Sequence, residues 1–278
     1  MVKYQKEIEC WLTEASHVLG DYYDAILPIF KNDGTIGTWG KFVSAQLFLQ
    51  CQLTSESIIF LLQERKEWDA CILLRSVMEG TVKYLYILNG NEIEMQERAY
   101  EFWYVLPEIA DIKHSDRVKD LYDRLAIPPQ KPLEDLKLDE QAHKKLLNKY
   151  PRADRKKIED RWSFSNILKS FENTELEPFK SLFFEYGMCS HLAHMDAVGV
   201  GMVRERALTN LPNRDIIQLA HIAKIVYSIC YLEKIRTQFL LMKLEQKFDF
   251  IFQLDQKYAD LYKELLDVEN IFLRTEYP

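Results

Sequence analysis

Apolar residues recur at spacings of three and four almost from the start of the chain. Ile8, Trp11, Leu12, Ala15, Val18 and Leu19 lead on to Tyr22, Ile26 and Ile29, the one-sided stripe of an amphipathic helix rather than the alternation of a strand. Asp33-Gly34 and the stretch Gly37 to Gly40 predict a loop. The stripe resumes in a second helix over about Lys41 to Glu67 and a third over about Asp69 to Leu88, closed by Asn89-Gly90. This third helix is apolar on nearly every side, with Ala70, Cys71, Ile72, Leu73, Leu74, Val77, Met78, Val82 and Leu85. Such a helix belongs at the centre of a bundle.

From Pro107 to about Pro178 the pattern changes. Pro128, Pro129, Pro132 and Pro151 cut the chain into short, strongly charged helices, as expected of an insertion or cap. Core-like spacing returns in a helix over about Pro178 to Val198, which Gly199 and Gly201 should stop. Pro212 then opens a long helix to about Lys247, and a last one runs through Asn270. The fold expected is therefore all-α: a helical bundle around a buried central helix, with 1–106 and 178–278 as its core and 107–177 as a charged helical insertion.

Composition sharpens this picture in three ways. Nine glycines and nine prolines are few for 278 residues, and 47% hydrophobic content with 13% aromatics fills a substantial core. The five cysteines, Cys10, Cys51, Cys71, Cys189 and Cys230, are odd in number and never spaced Cys-x-x-Cys, so they predict neither a disulfide framework nor a zinc site but small buried side chains in a reducing compartment. No leader-like apolar segment opens the chain and no uninterrupted apolar run approaches the roughly 18 residues of a membrane span. These features predict a cytoplasmic protein with no membrane association. A net charge of −7 argues against a surface that coats nucleic acid throughout, while leaving room for a local basic patch.

Chemistry concentrates on two polar stripes. Arg75, Glu79 and Lys83 stand at steps of four within the apolar third helix, and Tyr186, Ser190 and His194 repeat that spacing on the helix after Pro178, with His191 on an adjacent face. If both stripes face one core, Glu79 accepts from His194 while Arg75 meets Tyr186 or Ser190. Such a network either locks helix register or builds a reactive site.

The run Leu73-Leu74-Arg75-Ser76-Val77-Met78-Glu79, with Trp162-Ser163 and Tyr186-Gly187-Met188-Cys189-Ser190-His191-Leu192-Ala193-His194, resembles an uncharacterised family of bacterial all-helical proteins. Members pair an Arg-x-x-x-Glu helix with a Tyr-x-x-x-Ser-x-x-x-His helix. The likeness covers about Lys41 to Gly201. More distantly the chain looks like the HEPN superfamily, many of whose members are RNA-cleaving toxins or antiviral effectors that act as dimers. That resemblance implies a homodimer, RNA or another nucleotide as partner, and a protein partner or antitoxin. It also directs attention to Arg214 and His221, because HEPN ribonucleases carry an Arg followed by a His after four to six residues. The chemistry would be metal-independent cleavage, with a His moving a proton and an Arg holding the phosphate.

A third feature is basic: Lys144, Lys145, Lys149, Arg152, Arg155, Lys156, Lys157 and Arg161, beside Tyr150 and Trp162, outnumber the three carboxylates Asp154, Glu159 and Asp160 between His143 and Arg161. Positive charge interleaved with aromatics suits a nucleic-acid partner, and equally a solvated helical hairpin. No phosphate-cradling Gly-rich loop, Gly-x-Ser-x-Gly elbow or His-Glu-x-x-His site occurs, and neither cofactor nor metal is expected. Two functions follow from these residues, an HEPN-like effector that binds or cleaves RNA and a non-enzymatic helical module that docks a partner.

Overall fold

The computed structural model describes residues 4–32, 38–125, 128, 130–244 and 249–276. The chain is all-α, with no strand among the described residues. Helix α1 (Gln5–Asn32) is followed by α2 (Thr38–Gln63) and α3 (Glu67–Leu88), and then by α4 (Glu92–Tyr100) and α5 (Leu106–Leu125). Short helices α6 (Lys131–Glu134), α7 (Glu140–Lys149), α8 (Arg152–Arg161) and α9 (Phe164–Ser170) lead to α10 (Leu182–His194) and α11 (Ala197–Leu208). The long α12 (Leu211–Lys243), α13 (Asp249–Lys257) and α14 (Ala259–Glu276) complete the order.

Helix α3 is central, as its all-round apolar composition requires. Thirteen of its 22 residues are buried, and it packs against α2, α12, α10, α9 and α4. Its union with α2 is close: a Cβ on Gly80 would lie 2.5 Å from Cys51 Sγ. Helix α12 forms the second wall, packed on α3, α1 and α14, with Ile222, Ala223, Val226, Ile229, Cys230 and Leu240 fully buried.

Several boundaries differ from the expected ones, each for a local reason. The Asp33-Gly34 turn and Gly37 lie outside the described residues, but Gly40 is helical. Its N–H and that of Trp39 donate to Gln96 Oε1 (3.2 and 2.9 Å), so a side chain from α4 caps α2 in place of a local residue. Pro107 does not end its helix either. A π-helical turn at Glu101–Val105 joins α4 to α5, absorbing the missing proline N–H without a break. Gly199 and Gly201 do not stop α10, which ends at Met195 in the left-handed region (φ 49°). Both glycines lie inside α11, and Gly199 is there for contact: a Cβ would fall 2.4 Å from the His191 carbonyl oxygen.

The charged segment has a small core of its own, Ile109, Ile112 and Tyr150 with Val105, Leu146 and Ile158 against them. Trp162, Phe164, Ile167, Leu168, Phe171 and Leu176 instead join the main core. Two helices, α2 and the Asn213–Lys243 part of α12, are long and apolar enough by composition to cross a membrane. Scanning for uninterrupted apolar runs misses them because Gln, Ser and Thr punctuate both.

Candidate functional site

Helix α3 carries Arg75, Glu79 and Lys83 one turn apart on the flank that meets α10. Packing brings Tyr186 of α10 between the first two. Arg75 Nη2 donates to the Tyr186 hydroxyl at 3.0 Å, and that hydroxyl donates to Glu79 Oε1 at 2.8 Å. Arg75 Nη2 also lies 3.2 Å from Glu79 Oε1, and Lys83 Nζ 3.8 Å from Glu79 Oε2. The Tyr186 ring stacks on Phe164 with centroids 3.7 Å apart, which fixes where its hydroxyl points. Burial raises the Tyr186 phenol above its ordinary range, and the carboxylate of Glu79 adds to this while Arg75 opposes it. The phenol therefore stays protonated at neutral pH, and it can both accept and donate.

The two stripes thus face each other through Arg75, Glu79 and Tyr186, but the cluster sits at the rim. The Arg75 and Glu79 side chains keep 24% and 31% of their exposure, and Arg75 Nε is buried without a partner. His194 does not reach Glu79. It is exposed at the end of α10, and the phenol of Tyr186, two turns earlier on that helix, takes the place foreseen for it. Ser190 is half-buried and makes no side-chain hydrogen bond among the described residues. His191 bonds through Nδ1 to Asp196 Oδ2 at 2.7 Å. The other oxygen of Asp196 caps α11 by accepting from the N–H groups of Val198 and Gly199, and these bonds, with His191 foremost, hold its carboxyl below the usual range.

One helical turn from Arg75 and Tyr186, the interface is sealed by two thiols. Cys71 Sγ of α3 lies 2.8 Å from Cys189 Sγ of α10, and both residues are buried. The hydrogen bond to Cys71 and burial push the Cys189 thiol far up.

Arg214 and His221 part company. Arg214 lines a cleft of about 480 Å³ with Arg65, Glu67, Trp68, Arg206 and Gln218. Its floor is the buried carboxylate of Glu67, which accepts from Gln218 Nε2 at 2.9 Å and faces Arg206 at 3.5 Å. His221 packs its ring 5.0 Å from that of Trp68 and lies outside the lining. Burial, reinforced by Arg206 and Lys224, lowers its pKa to about 3, so the half-buried ring stays neutral, with its Nδ1 buried and unpartnered. The expected pairing of these residues as one catalytic unit is not seen, since Arg214 lines the cleft while the His221 ring packs against Trp68.

The basic residues divide as well. Lys149 is held by Glu108 (2.7 Å), which also accepts from the Tyr150 hydroxyl (2.5 Å), and Arg161 is held by Glu101 (2.6 Å). Lys144, Lys145, Arg152, Lys156 and Lys157 are exposed and Arg155 is half-buried. None of these six forms an ion pair with any described residue. Among the described residues, no group of three or more His, Cys, Asp or Glu side chains is placed to hold a metal ion.

Two features escaped the sequence reading. Glu233 and Arg236 of α12 form an ion pair with no exposure at all, and Arg236 Nη1 also donates to Thr81 of α3 at 2.5 Å. Their signal, opposite charges three apart in an apolar helix, is of the same kind that singled out Arg75 and Glu79. The juxtaposed thiols had no signal, since 118 residues separate them.

No curated protein and no solved structure matches the chain. A family model does, over residues 41–204. That span runs from the first turn of α2 through α10 and into α11, taking in both polar stripes and the basic hairpin, whereas Arg214 and His221 fall beyond it. The chain belongs to the family of unknown function DUF5677.

Proposed function

We propose that this protein is an HEPN-like helical effector of the cytoplasm that binds RNA through the basic face of α7 and α8. The observation that carries the reading is the set of six cations, Lys144, Lys145, Arg152, Arg155, Lys156 and Lys157, that form no ion pair among the described residues in a chain of net charge −7. An acidic protein that balances Lys149 and Arg161 but leaves these six unbalanced keeps a local field suited to a phosphate backbone. The choice of RNA over other polyanions rests on the HEPN resemblance.

Cleavage is the extension of this reading, and the rim cluster is the group of residues that would perform it. Arg75 keeps part of its side chain at the surface, placed to hold a phosphate, while the Tyr186 phenol and the exposed imidazole of His194 supply groups able to move a proton. The absence of His221 from the lining of the cleft beside Arg214 favours this rim over the Arg214 region. The competing reading, a non-enzymatic module that docks a partner, draws support from the bonds that Arg75, Tyr186 and Glu79 already make to one another.

Fluorescence anisotropy with labelled single-stranded RNA over a range of salt tests the binding. Wild-type affinity should fall with a log–log slope of roughly −0.7 per phosphate contacted, and Lys144→Glu/Lys145→Glu/Lys156→Glu/Lys157→Glu should abolish binding. Total RNA incubated with chelator then tests cleavage: loss of products in folded Arg75→Ala or His194→Ala protein supports the rim as a catalytic site. Failure to bind RNA at low salt returns the protein to the partner-docking class.

A further inference from the structure

The sulfur atoms of Cys71 and Cys189, 2.8 Å apart, are closer than two unbonded thiols pack and less than 1 Å from the length of a disulfide bond, about 2.05 Å. They sit on different helices, so their approach is set by how α3 and α10 pack and not by a local turn. The same packing joins Arg75 to Tyr186 one turn away. Cys71 and Cys189 are 3% and 1% exposed, and no charged side chain hydrogen-bonds to either. Their position bears on the rim directly, because α10 is a short helix whose outer side is open: Phe183, Phe184 and Met188 are all exposed. Tyr186 is therefore presented to Arg75 and Glu79 by a helix held mainly along one side.

We propose that Cys71 and Cys189 are a modification site, a redox latch that closes as an intramolecular disulfide and clamps α10 to α3 beside the Arg75–Tyr186–Glu79 cluster. The oxidant is a peroxide. One cysteine, as its thiolate, attacks a peroxide oxygen, the O–O bond breaks, and sulfenic acid and one water are formed. The second thiol then attacks that sulfur, its proton leaving with the hydroxyl as a second water, so two thiols lose two electrons and hydrogen peroxide gains them. Because the resolving thiol is already in contact, the sulfenic acid is consumed before further oxidation. Burial makes closure slow and shields the product from bulky reductants, which suits a latch for sustained oxidation rather than a fast sensor. The inference is independent of RNA binding.

Mass mapping of the full-length protein tests it. Protein treated with hydrogen peroxide, denatured in N-ethylmaleimide and digested with trypsin should yield the peptide Glu67–Arg75 joined to Ser181–Arg204, lighter by two hydrogens than their sum. The yield should not depend on protein concentration, and dithiothreitol applied after denaturation should remove it. The oxidised protein should melt at a higher temperature than the reduced one, and Cys71→Ser and Cys189→Ser should each abolish both the linked peptide and the shift. Recovery of Cys71 and Cys189 as maleimide adducts while the exposed Cys10 has been oxidised would overturn the proposal, as would linkage of either to a different cysteine. The wild-type map decides the matter even if a serine variant fails to fold.

Discussion

Helix α12 and the α3–α10 rim both place ionic groups among apolar side chains, but they do so under opposite conditions. On α12, Glu233 and Arg236 are closed off from water and His221 is half-buried, and burial drives the Glu233 carboxyl up against the pull of Arg236 and the His221 imidazole down. At the rim, Arg75, Glu79 and Tyr186 satisfy one another while keeping a solvent-facing side. Sealed groups of the first kind are tuned for the folded state alone. Only the second kind is placed to meet another molecule, and so the contrast separates residues that hold the fold from residues available for work.

The contrast is broken most directly at Arg236. Arg236→Ala should leave Glu233 buried without a partner and cost about 3–5 kcal/mol in denaturant unfolding, whereas Glu233→Leu with Arg236→Met should recover most of that loss. A mild Arg236→Ala would mean that water enters between α3 and α12.

His221 gives the next largest effect, and it depends on pH. Its folded pKa of about 3 lies below the unfolded value of about 6.5, so the unfolded chain binds the extra proton first. The stability contributed by the neutral ring is therefore complete above pH 6.5 and declines as pH falls from there towards 3, by about 2 kcal/mol at pH 5. Urea titrations at pH 7 and pH 5 should show this loss in the wild type and a shallower dependence in His221→Phe. An equal dependence in both proteins would place the acid sensitivity elsewhere.

Smaller still is the effect expected at the rim. Arg75→Ala removes a partly exposed ion pair and one hydrogen bond, worth about 1–2 kcal/mol together, and Tyr186→Phe about 1 kcal/mol. A loss at Arg75 as large as that at Arg236 would collapse the distinction between the two regions. On the α7–α8 face, reversing Lys144, Lys145, Lys156 and Lys157 should change stability by no more than about 0.5 kcal/mol per substitution, read by thermal melting alongside the anisotropy titration.

How far all this was legible in the sequence follows from the range of the forces involved. The helical periodicity and the centrality of α3 are written in residues three and four apart, and the pairing of the Arg75 and Tyr186 stripes followed because a polar residue in an apolar helix needs a partner in kind. What could not be read were effects set by packing between distant segments: the cap that Gln96 gives α2, the close approach that places Gly199 inside α11, and the packing of the His221 ring on Trp68, apart from Arg214. Glu233 and Arg236 were legible in principle.

The extent of α12 also bears on what should count as a unit here. The family span ends at residue 204, before α12 begins, yet the inner face of α3 is closed by Ile222, Val226, Ile229 and their neighbours. A fragment cut to residues 41–204 would expose that face and strip Thr81 of its bond to Arg236. The segment recognised by descent is therefore smaller than the segment able to fold. In other members of the family, the sequence beyond the shared span should be searched for a long apolar helix that serves as the missing wall, even where no residue of it can be aligned.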